Sequence, residues 1–287
     1  MRNIKQKKFK VIILTIIITF TIIFCYWQNN DILITELSFS SEKVPSAYND
    51  FVIVQISDLH NKSFGKNQST LIKKVENSKP DIIVITGDLI DRNTKNPDNA
   101  LILIDSLINI APIYYVTGNH EATSKIYNEL IFKLSEKGIT LSDDKKILIE
   151  KENSKIEIIG LSDPTFKNND YLLSDDADYI DNHLSKLVDV EDNLFKILLS
   201  HRPELIDIYA KYNIDIVFTG HAHGGQIRLP FIGGLYAPNQ GILPKYTTGS
   251  YLKNNTTEIV SRGLGNSLFP FRIFNRPEII VCKLKSI

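Results

Sequence analysis

The stretch Phe51-Val-Ile-Val-Gln-Ile-Ser-Asp-Leu-His60 decides the fold: a short apolar run ends on a carboxylate and an imidazole. A continuous apolar run of this length is typical of a strand buried on both faces. The arrangement occurs five times, because four further apolar runs are each followed by a polar cluster. These clusters are Gly87-Asp88-Leu89-Ile90-Asp91-Arg92, Gly118-Asn119-His120-Glu121, Ser200-His201-Arg202-Pro203 and Gly220-His221-Ala222-His223.

Short apolar runs alternate with amphipathic segments from residue 51 onward, which predicts an α/β fold with helices covering buried sheets. The predicted strands are Phe51–Ile56, Ile82–Thr86, Ile113–Val116, Ile156–Ile159, Lys196–Leu199 and Ile214–Phe218, with short ones near 257–261 and 278–284. The predicted helices are Gln68–Asn77, Asp98–Asn109, Ser124–Lys137, Ala177–Val188 and Pro203–Tyr212.

Ligands bind to α/β sheets at the carboxyl ends of the strands, so we expect the five clusters to meet in space. Each cluster alone is weak, because such residues are common in turns, loops and helix N-caps. Five of the six histidines lie in the clusters. The sixth, His183, falls on a predicted surface helix and is interpreted as a solvated side chain.

In this order the clusters resemble the motifs of the calcineurin-like metallophosphoesterase superfamily: DxH, GDxxDR, GNHD/E, a single histidine and GHxH. The resemblance covers about residues 51–225. Residues 199–204, 220–241 and 261–277 further resemble its membrane-linked bacterial phosphodiesterase branch, which includes UDP-2,3-diacylglucosamine pyrophosphohydrolases. The resemblance implies a four-layer α/β/β/α sandwich with a two-metal site at one sheet edge.

The resemblance also implies a set of metal ligands, and their oxygen and nitrogen atoms suit hard divalent cations. The set comprises Asp58, His60 and His223 for one ion, Asn119, His201 and His221 for the other, and Asp88 as the bridge. A water held between the two ions would be the nucleophile that attacks phosphorus. This mixed set of ligands leaves the metal open among manganese, zinc, iron and magnesium.

Three further residues take catalytic roles by the same resemblance. His120 would protonate or stabilise the leaving oxygen, Asp91 would orient that imidazole, and Arg92 would clamp a phosphate oxygen. Arg92 could instead form a surface ion pair, and Arg202 could face either phosphate or solvent. Glu121 stands where many members of the superfamily have Asp, and we expect it to leave metal binding undisturbed.

The first 27 residues form a leader. Five basic residues in the first ten precede the apolar run Val11–Trp27, which as a helix would span roughly 25 Å, near the lower limit for a bilayer core. We expect a cytoplasmic segment (1–10), a transmembrane anchor (11–27) and an enzyme domain outside the membrane. The alternative is a cleaved signal peptide, although the bulky sequence Phe24-Cys25-Tyr26-Trp27 lacks a small-residue cleavage site.

The rest of the chain is divided into two parts. Residues 28–50 are interpreted as a polar tether that includes a first or edge strand at Ile32–Phe39, and residues 51–287 as the phosphoesterase domain. The whole chain has 33 basic and 33 acidic residues. The part after the leader is therefore acidic overall, which disfavours nucleic acid as a partner and nuclease activity as the function. The sequence implies no protein partner.

The sequence therefore predicts a membrane-anchored dinuclear-metal phosphoesterase. Its substrate would be a phosphodiester or pyrophosphate, lipid-linked or part of the cell wall, such as UDP-2,3-diacylglucosamine. A phosphomonoesterase and a non-catalytic scaffold remain alternatives. The Gly224–Gly241 stretch is either a wall of the pocket or an ordinary hairpin. Phe269, Phe271 and Phe274 are interpreted as core rather than as an apolar rim facing the membrane.

Overall fold

Two six-stranded sheets lie face to face, with helices on their outer sides. The computed structural model describes residues 2–167, 175–266 and 269–287. The helices are α1 (Arg2–Asn30), α2 (Ser69–Asn77), α3 (Asp98–Leu107), α4 (Asn119–Ala122), α5 (Tyr127–Glu136), α6 (Asp176–Leu187) and α7 (Ile206–Tyr209).

The first sheet has the order β1-β16-β2-β3-β4-β5. Its strands are β1 (Leu33–Ser41), β2 (Val52–Ile56), β3 (Ile82–Thr86), β4 (Ile113–Val116), β5 (Thr140–Leu141) and β16 (Glu278–Ser286). β2, β3, β4 and β5 are parallel, while β16 lies antiparallel to β2 and parallel to β1. The last strand of the chain is therefore inserted between the first two.

The second sheet has the order β14-β15-β9-β8-β7-β6. Its strands are β6 (Lys145–Lys151), β7 (Ser154–Gly160), β8 (Phe195–Leu199), β9 (Ile216–Thr219), β14 (Gly249–Lys253) and β15 (Thr256–Val260). β7, β8, β9 and β15 are parallel. Between β9 and β14 the chain forms two small hairpins from β10 (Arg228–Leu229), β11 (Gly233–Gly234), β12 (Tyr236–Ala237) and β13 (Gly241–Ile242).

Three apolar clusters hold the layers together. One packs α2, α3 and α5 on the first sheet, the second lies between the sheets, and the third packs α6 and α7 on the second sheet. In β2, Val54 and Ile56 face the helices while Ile53 faces the other sheet, which is the alternation expected of a strand. Each such buried side chain contributes about 1.5–3 kcal/mol, which explains why the strands are continuous apolar runs. The result is a mixed α/β sheet sandwich.

The predicted elements fall close to the observed ones. Ile82–Thr86 and Ile113–Val116 are strands with the predicted bounds, and β1 lies at the sheet edge. The expected helix Pro203–Tyr212 is instead a 3-10 turn at Pro203–Leu205 followed by the short α7. His183 lies on α6 as expected, but its ring is half-buried, with its centroid 4.1 Å from that of Tyr179. His183 is therefore solvated only in part.

The N-terminal helix α1 is longer than the apolar run that predicted it. Its segment Gln6–Asn30 is long and apolar enough to cross a membrane, and a signal sequence would pass the same test. Large apolar side chains along it, such as Phe20 and Ile23, are exposed. Gln28 and Asn29, which the sequence analysis assigns to the tether, are buried against the enzyme domain.

The three phenylalanines near the C-terminus are surface residues, so their interpretation as core is wrong. Phe269, Phe271 and Phe274 are all exposed, and the ring of Phe274 packs edge-on against Phe24 of α1 at 5.5 Å between centroids. The reason lies in their neighbours. The polar side chains of Arg272 and Asn275 point inward and are buried, so the phenylalanines around them point outward.

Candidate metal centre

The five clusters lie at the carboxyl ends of five strands, three in the first sheet and two in the second. Asp58 and His60 follow β2, the Asp88 cluster follows β3, and Asn119 begins α4 after β4. His201 follows β8, and the pair His221 and His223 follows β9. The two sheets bring these strand ends together although the residues span more than half of the chain.

The first group of donor atoms comes from Asp58, His60, Asp88 and His223, all within 4.8 Å of one another. Nε2 of His223 lies 3.1 Å from Nε2 of His60 and 3.3 Å from Oδ1 of Asp58. Nε2 of His60 is 3.7 Å from Oδ2 of Asp88. All four side chains are buried. Two neutral imidazoles that present nitrogen atoms to each other and to carboxylates form a cradle for a cation.

A second group shares Asp88 with the first. Nε2 of His201 is 3.3 Å from Oδ2 of Asp88, 3.2 Å from Oδ1 of Asn119 and 3.2 Å from Nδ1 of His221. Nδ1 of His201 lies 2.8 Å from the carbonyl oxygen of Thr86, to which it can donate so that Nε2 is left as an acceptor. Asp88 therefore stands between two sets of nitrogen and oxygen donors.

These distances fit two divalent ions. Ligand atoms about 2.1 Å from one ion lie roughly 3 Å apart, and the spacings within each group are close to that value. Imidazole, carboxylate and amide oxygen are donors that zinc, manganese, iron and magnesium accept. The residues present therefore suit a dinuclear site in which Asp88 is common to both ions.

The electrostatics of the site differ among its imidazoles: burial favours the neutral ring at three of them, whereas the Asp88 carboxylate raises the pKa of His201 to about 10 against the effect of burial, so His201 gives up a proton when an ion binds. Burial lowers the pKa of both His60 and His221 to about 3, and burial lowers the pKa of His223 as well. Burial also acts on Asp88, but the neighbouring His201 holds the pKa of that carboxyl well below its usual range. Neutral imidazole and ionised carboxylate are the protonation states that metal binding requires.

The backbone of the donor residues is strained. Asp58, His60, Asp88, His221 and His223 have φ angles of 51°, 50°, 52°, 62° and 47°, in the left-handed region that residues with a side chain rarely adopt. Backbone bonds between the loops hold this geometry, including those from Asp58 N to Gly87 O and from His60 N to Asp88 O. Strain of this kind collects at functional sites, where the surrounding structure imposes it.

Two glycines leave room for the carboxylates. A Cβ at Gly118 would lie 2.3 Å from Oδ1 of Asp88, and one at Gly220 would lie 2.4 Å from Oδ2 of Asp58. Neither contact is possible without moving the carboxylate. Glycine is therefore required at positions 118 and 220, because the backbone there passes close to the donor carboxylates.

His120 and Asp91 lie close to Asp88, next to the two donor groups. Nδ1 of His120 is 2.9 Å from Oδ2 of Asp91, and Nε2 is 4.0 Å from Oδ2 of Asp88. The guanidinium of Arg92 is turned toward this ring, with Nη2 3.3 Å from Nε2. Burial lowers the pKa of His120. Asp88, Arg92 and His120 line a cavity of about 240 Å³, whose wall also includes Asn119, Arg202 and Asn239.

Glu121 has a larger structural role than the sequence suggested. Its Oε2 accepts the backbone N–H groups of Asp88 and Gly118, both at 2.8 Å, and its Oε1 accepts that of Ile90 at 3.1 Å. Glu121 therefore connects the loop that carries Asp88 to the loop that carries Asn119. The Gly118-x-x-Glu121 spacing, in which a glutamate at the third helical position reaches back to the helix start, was the available signal.

Arg202 is buried, which rules out the solvent alternative. Its Nε and Nη2 donate to the two carboxylate oxygens of Asp163 at 2.6 and 2.9 Å, and Nη2 also donates to Thr165. This bidentate pair lies beside the metal-binding groups and borders the cavity. Asp163 comes from the segment after β7, and its partner is 39 residues away.

The Gly224–Gly241 stretch is both a hairpin region and a wall of the pocket. It contains the two small hairpins, and Pro238 and Asn239 line the cavity. Oδ1 of Asn239 lies 3.0 Å from Nε2 of His221. Asn239 was not among the predicted site residues, and its position in the Gly-rich stretch after GHxH was the only signal in the sequence.

The fold and this cluster of donors define a metal-dependent phosphoester hydrolase. The family model described as calcineurin-like phosphoesterase matches residues 51–225. The chain is 35% identical over 269 residues to the uncharacterized metallophosphoesterase YkuE of Bacillus subtilis (strain 168). The alignment covers 91% of this chain and 88% of that protein. The chain belongs to the calcineurin-like phosphoesterase family, which uses two divalent metal ions.

Two further similarities accompany this match. The phosphodiesterase YaeI of Escherichia coli (strain K12) is 27% identical over 241 residues, covering 82% of each chain. A solved dimetal phosphatase from Danio rerio superposes with a TM-score of 0.46 at 14% identity, over 75% of this chain and 88% of that one.

Proposed function

We propose that the protein is a membrane-anchored phosphodiesterase or pyrophosphohydrolase that acts outside the cytoplasmic membrane. The observation that carries the proposal is the paired donor groups around Asp88, next to a histidine that is not needed as a ligand. When bound, two divalent cations supply a water nucleophile at neutral pH and offset the charge that develops on phosphate. The similarity to YaeI, which is named a phosphodiesterase, supports the diester assignment.

In this proposal Asp58, His60 and His223 would hold one ion, Asn119, His201 and His221 would hold the other, and the carboxylate of Asp88 would be shared by both.

The residues beside the donors bind and protonate the substrate. Asp91 lies 2.9 Å from Nδ1 of His120 and orients the ring, and Nε2–H would donate a proton to the leaving oxygen in the cavity. Arg92 lies at the same side of the cavity and would bind a phosphate oxygen. Arg202 is already paired with Asp163, so it is not a free clamp for phosphate.

The substrate we propose is lipid-linked, of the kind represented by UDP-2,3-diacylglucosamine. A second cavity of about 400 Å³ has an apolar lining that includes Ile227, Leu235 and Phe269. Pro238 belongs to both this cavity and the metal-site cavity. Phe274, from the same segment as Phe269, packs on Phe24 of α1. Apolar surface is thus present both beside α1 and beside the metal-site cavity, an arrangement that suits a substrate with acyl chains.

The reaction type is tested with bis-nitrophenyl phosphate and nitrophenyl phosphate on the full chain, stripped of metal and reloaded with manganese. We expect metal-dependent turnover of the diester that exceeds turnover of the monoester. Preference for the monoester would favour a phosphomonoesterase. A folded, metal-loaded protein without turnover of either compound would favour the scaffold alternative.

The substrate class is tested in vesicles that contain the full chain. UDP-2,3-diacylglucosamine is compared with UDP-N-acetylglucosamine, which lacks the two long acyl chains. We expect at least a tenfold higher kcat/KM for the acylated compound, and a smaller preference in Phe269→Ala. Phe132→Ala, which removes an exposed phenylalanine from α5 instead, is the matched control. Equal kcat/KM for the two compounds would contradict the lipid assignment.

A further inference from the structure

The last turn of α1 is bonded to the segment 272–275 through two buried amide side chains. Oδ1 of Asn29 accepts the backbone N–H of Arg272 at 3.1 Å, and Oε1 of Gln28 accepts the backbone N–H of Asn275 at 3.2 Å. Both amides are nearly inaccessible to solvent, with 8% and 3% exposure. A buried amide without a partner is unfavourable, so these bonds fix how α1 meets the domain.

The same segment holds the loop that carries His223. Nδ2 of Asn275 donates to the carbonyl oxygens of His223 and Gln226 at 2.7 and 2.8 Å. The guanidinium of Arg272 lies against the outer edge of the imidazole, with Nη2 3.5 Å from Nδ1 of His223. Because His223 has a strained φ of 47°, it depends on such partners to keep its position.

Arg272 is itself held in place by the surrounding backbone. Its guanidinium donates to the carbonyl oxygens of Gly265 and Arg262. The side chain is 2% exposed, and a buried guanidinium satisfied by carbonyls has one well-defined position. A displacement of its backbone N–H would therefore be transmitted to the ring of His223.

Further bonds join α1 to the domain around this point. Nζ of Lys62 donates to the carbonyl oxygen of Asn29 at 2.5 Å. Asp31, just after α1, accepts from the indole of Trp27 and pairs with Arg276, whose guanidinium stacks over the Trp27 ring. The helix and the domain therefore form one continuous packed unit at this end.

We propose that Gln28 and Asn29 are positioning residues of the metal centre, acting on His223 through Arg272 and Asn275. The inference rests on the proposed function, because it takes His223 as a metal ligand. The N-terminal helix then does more than tether the domain, since its last turn supports one of the two ion sites. Groups that support metal ligands typically change metal affinity 10–100-fold when they are removed.

The test measures cobalt affinity of the full chain in detergent micelles by the visible absorption of bound Co²⁺. In the double variant Gln28→Ala/Asn29→Ala we expect one of the two cobalt ions to bind at least tenfold more weakly. Asn30→Ala lies in the same turn, but among the described residues its side chain bonds only back along the helix to Tyr26, so this variant is expected to retain wild-type affinity.

His223→Ala separates this inference from the proposed function. If His223→Ala leaves both cobalt affinities unchanged, the assignment of His223 as a ligand fails. If His223→Ala loses one ion but the double variant binds within twofold of wild type, only the positioning role is overturned. An equal loss in Asn30→Ala would also overturn it, because the effect would then be a general weakening of the helix end.

Discussion

Replacing Glu121 by glutamine tests how the loops that carry Asp88 and Asn119 are held together. The carboxylate accepts three backbone N–H groups, two at Oε2 and one at Oε1. In glutamine, one oxygen becomes an NH₂ group. The best orientation of the new side chain keeps its oxygen toward Asp88 and Gly118 and turns the NH₂ toward the N–H of Ile90. Two donors then face each other in a fully buried place.

The size of the effect follows from the three bonds. A hydrogen bond to a charged acceptor contributes about 1.5–3 kcal/mol and a neutral one about 0.5–1.5 kcal/mol, so each retained bond loses about 1 kcal/mol. The N–H of Ile90, left without an acceptor, costs a further 1–3 kcal/mol or so. Glu121→Gln should therefore lower the free energy of unfolding by about 3–5 kcal/mol.

The assay is urea unfolding of the full chain in detergent at pH 9, without added metal, because burial raises the pKa of Glu121 to about 8 and the carboxylate is ionised only above that value. Glu136→Gln, at an exposed position on α5, is the matched control and should change stability by less than about 0.5 kcal/mol. We also expect weaker manganese binding in Glu121→Gln, because the backbone of Asp88 loses its support. A destabilisation below about 1 kcal/mol, or one no larger than that of the control, would refute the reasoning.

Three other substitutions have defined outcomes. Asp163→Asn leaves the buried Arg202 without its bidentate partner, and urea unfolding at pH 7 should show a loss of about 3–5 kcal/mol. Arg202 holds the pKa of Asp163 down at about 2 against the effect of burial, below the ordinary 3.8. The ionised carboxylate thus stabilises the fold above about pH 4, and the wild type should lose this advantage over the variant as the pH falls from 4 to 2. A difference in the free energy of unfolding that stayed constant over that range would contradict the pairing of Asp163 with Arg202. Gly118→Ala places a Cβ against Asp88 and should weaken manganese binding at least tenfold in equilibrium dialysis, whereas wild-type affinity would show that the loop can shift. His120→Asn should lower kcat for bis-nitrophenyl phosphate about 10²–10⁴-fold with the manganese content unchanged, and normal turnover would remove His120 from the mechanism.

The sequence was sufficient for the parts of the fold that depend on local pattern. β3 and β4 are continuous apolar runs bounded by polar clusters, and their ends were predicted to the residue. The meeting of the clusters followed from the rule that the carboxyl ends of strands share an edge. The role of each residue in the cluster stays a prediction until metal binding and turnover are measured.

Other features depend on long-range packing, which the pattern does not contain. Nothing local indicates that β16 lies between β1 and β2, since that pairing joins residues near the two ends of the chain. Phe271 was misjudged for a related reason. Its apolar side chain suggests a core position, but the carbonyls around the neighbouring Arg272 draw the guanidinium inward and leave Phe271 exposed.

The polar residues around the site were the hardest to assign. Arg202 and Glu121 lie next to predicted ligands, and the sequence does not show whether such a neighbour faces substrate, solvent or the protein. The structure pairs each with groups distant in sequence: Arg202 with Asp163, and Glu121 with the backbone of Asp88 and Ile90. Both residues support the geometry of the donors.

The most direct test of the central claim is the number of manganese ions that the metal-stripped full chain binds, compared with Asp88→Asn. The account predicts two ions per chain in the wild type, with bis-nitrophenyl phosphate turnover that requires both. It also predicts that Asp88→Asn weakens both sites, because its carboxylate stands between the two donor groups. Full turnover with one bound ion, or two tightly bound ions and normal turnover in Asp88→Asn, would contradict it.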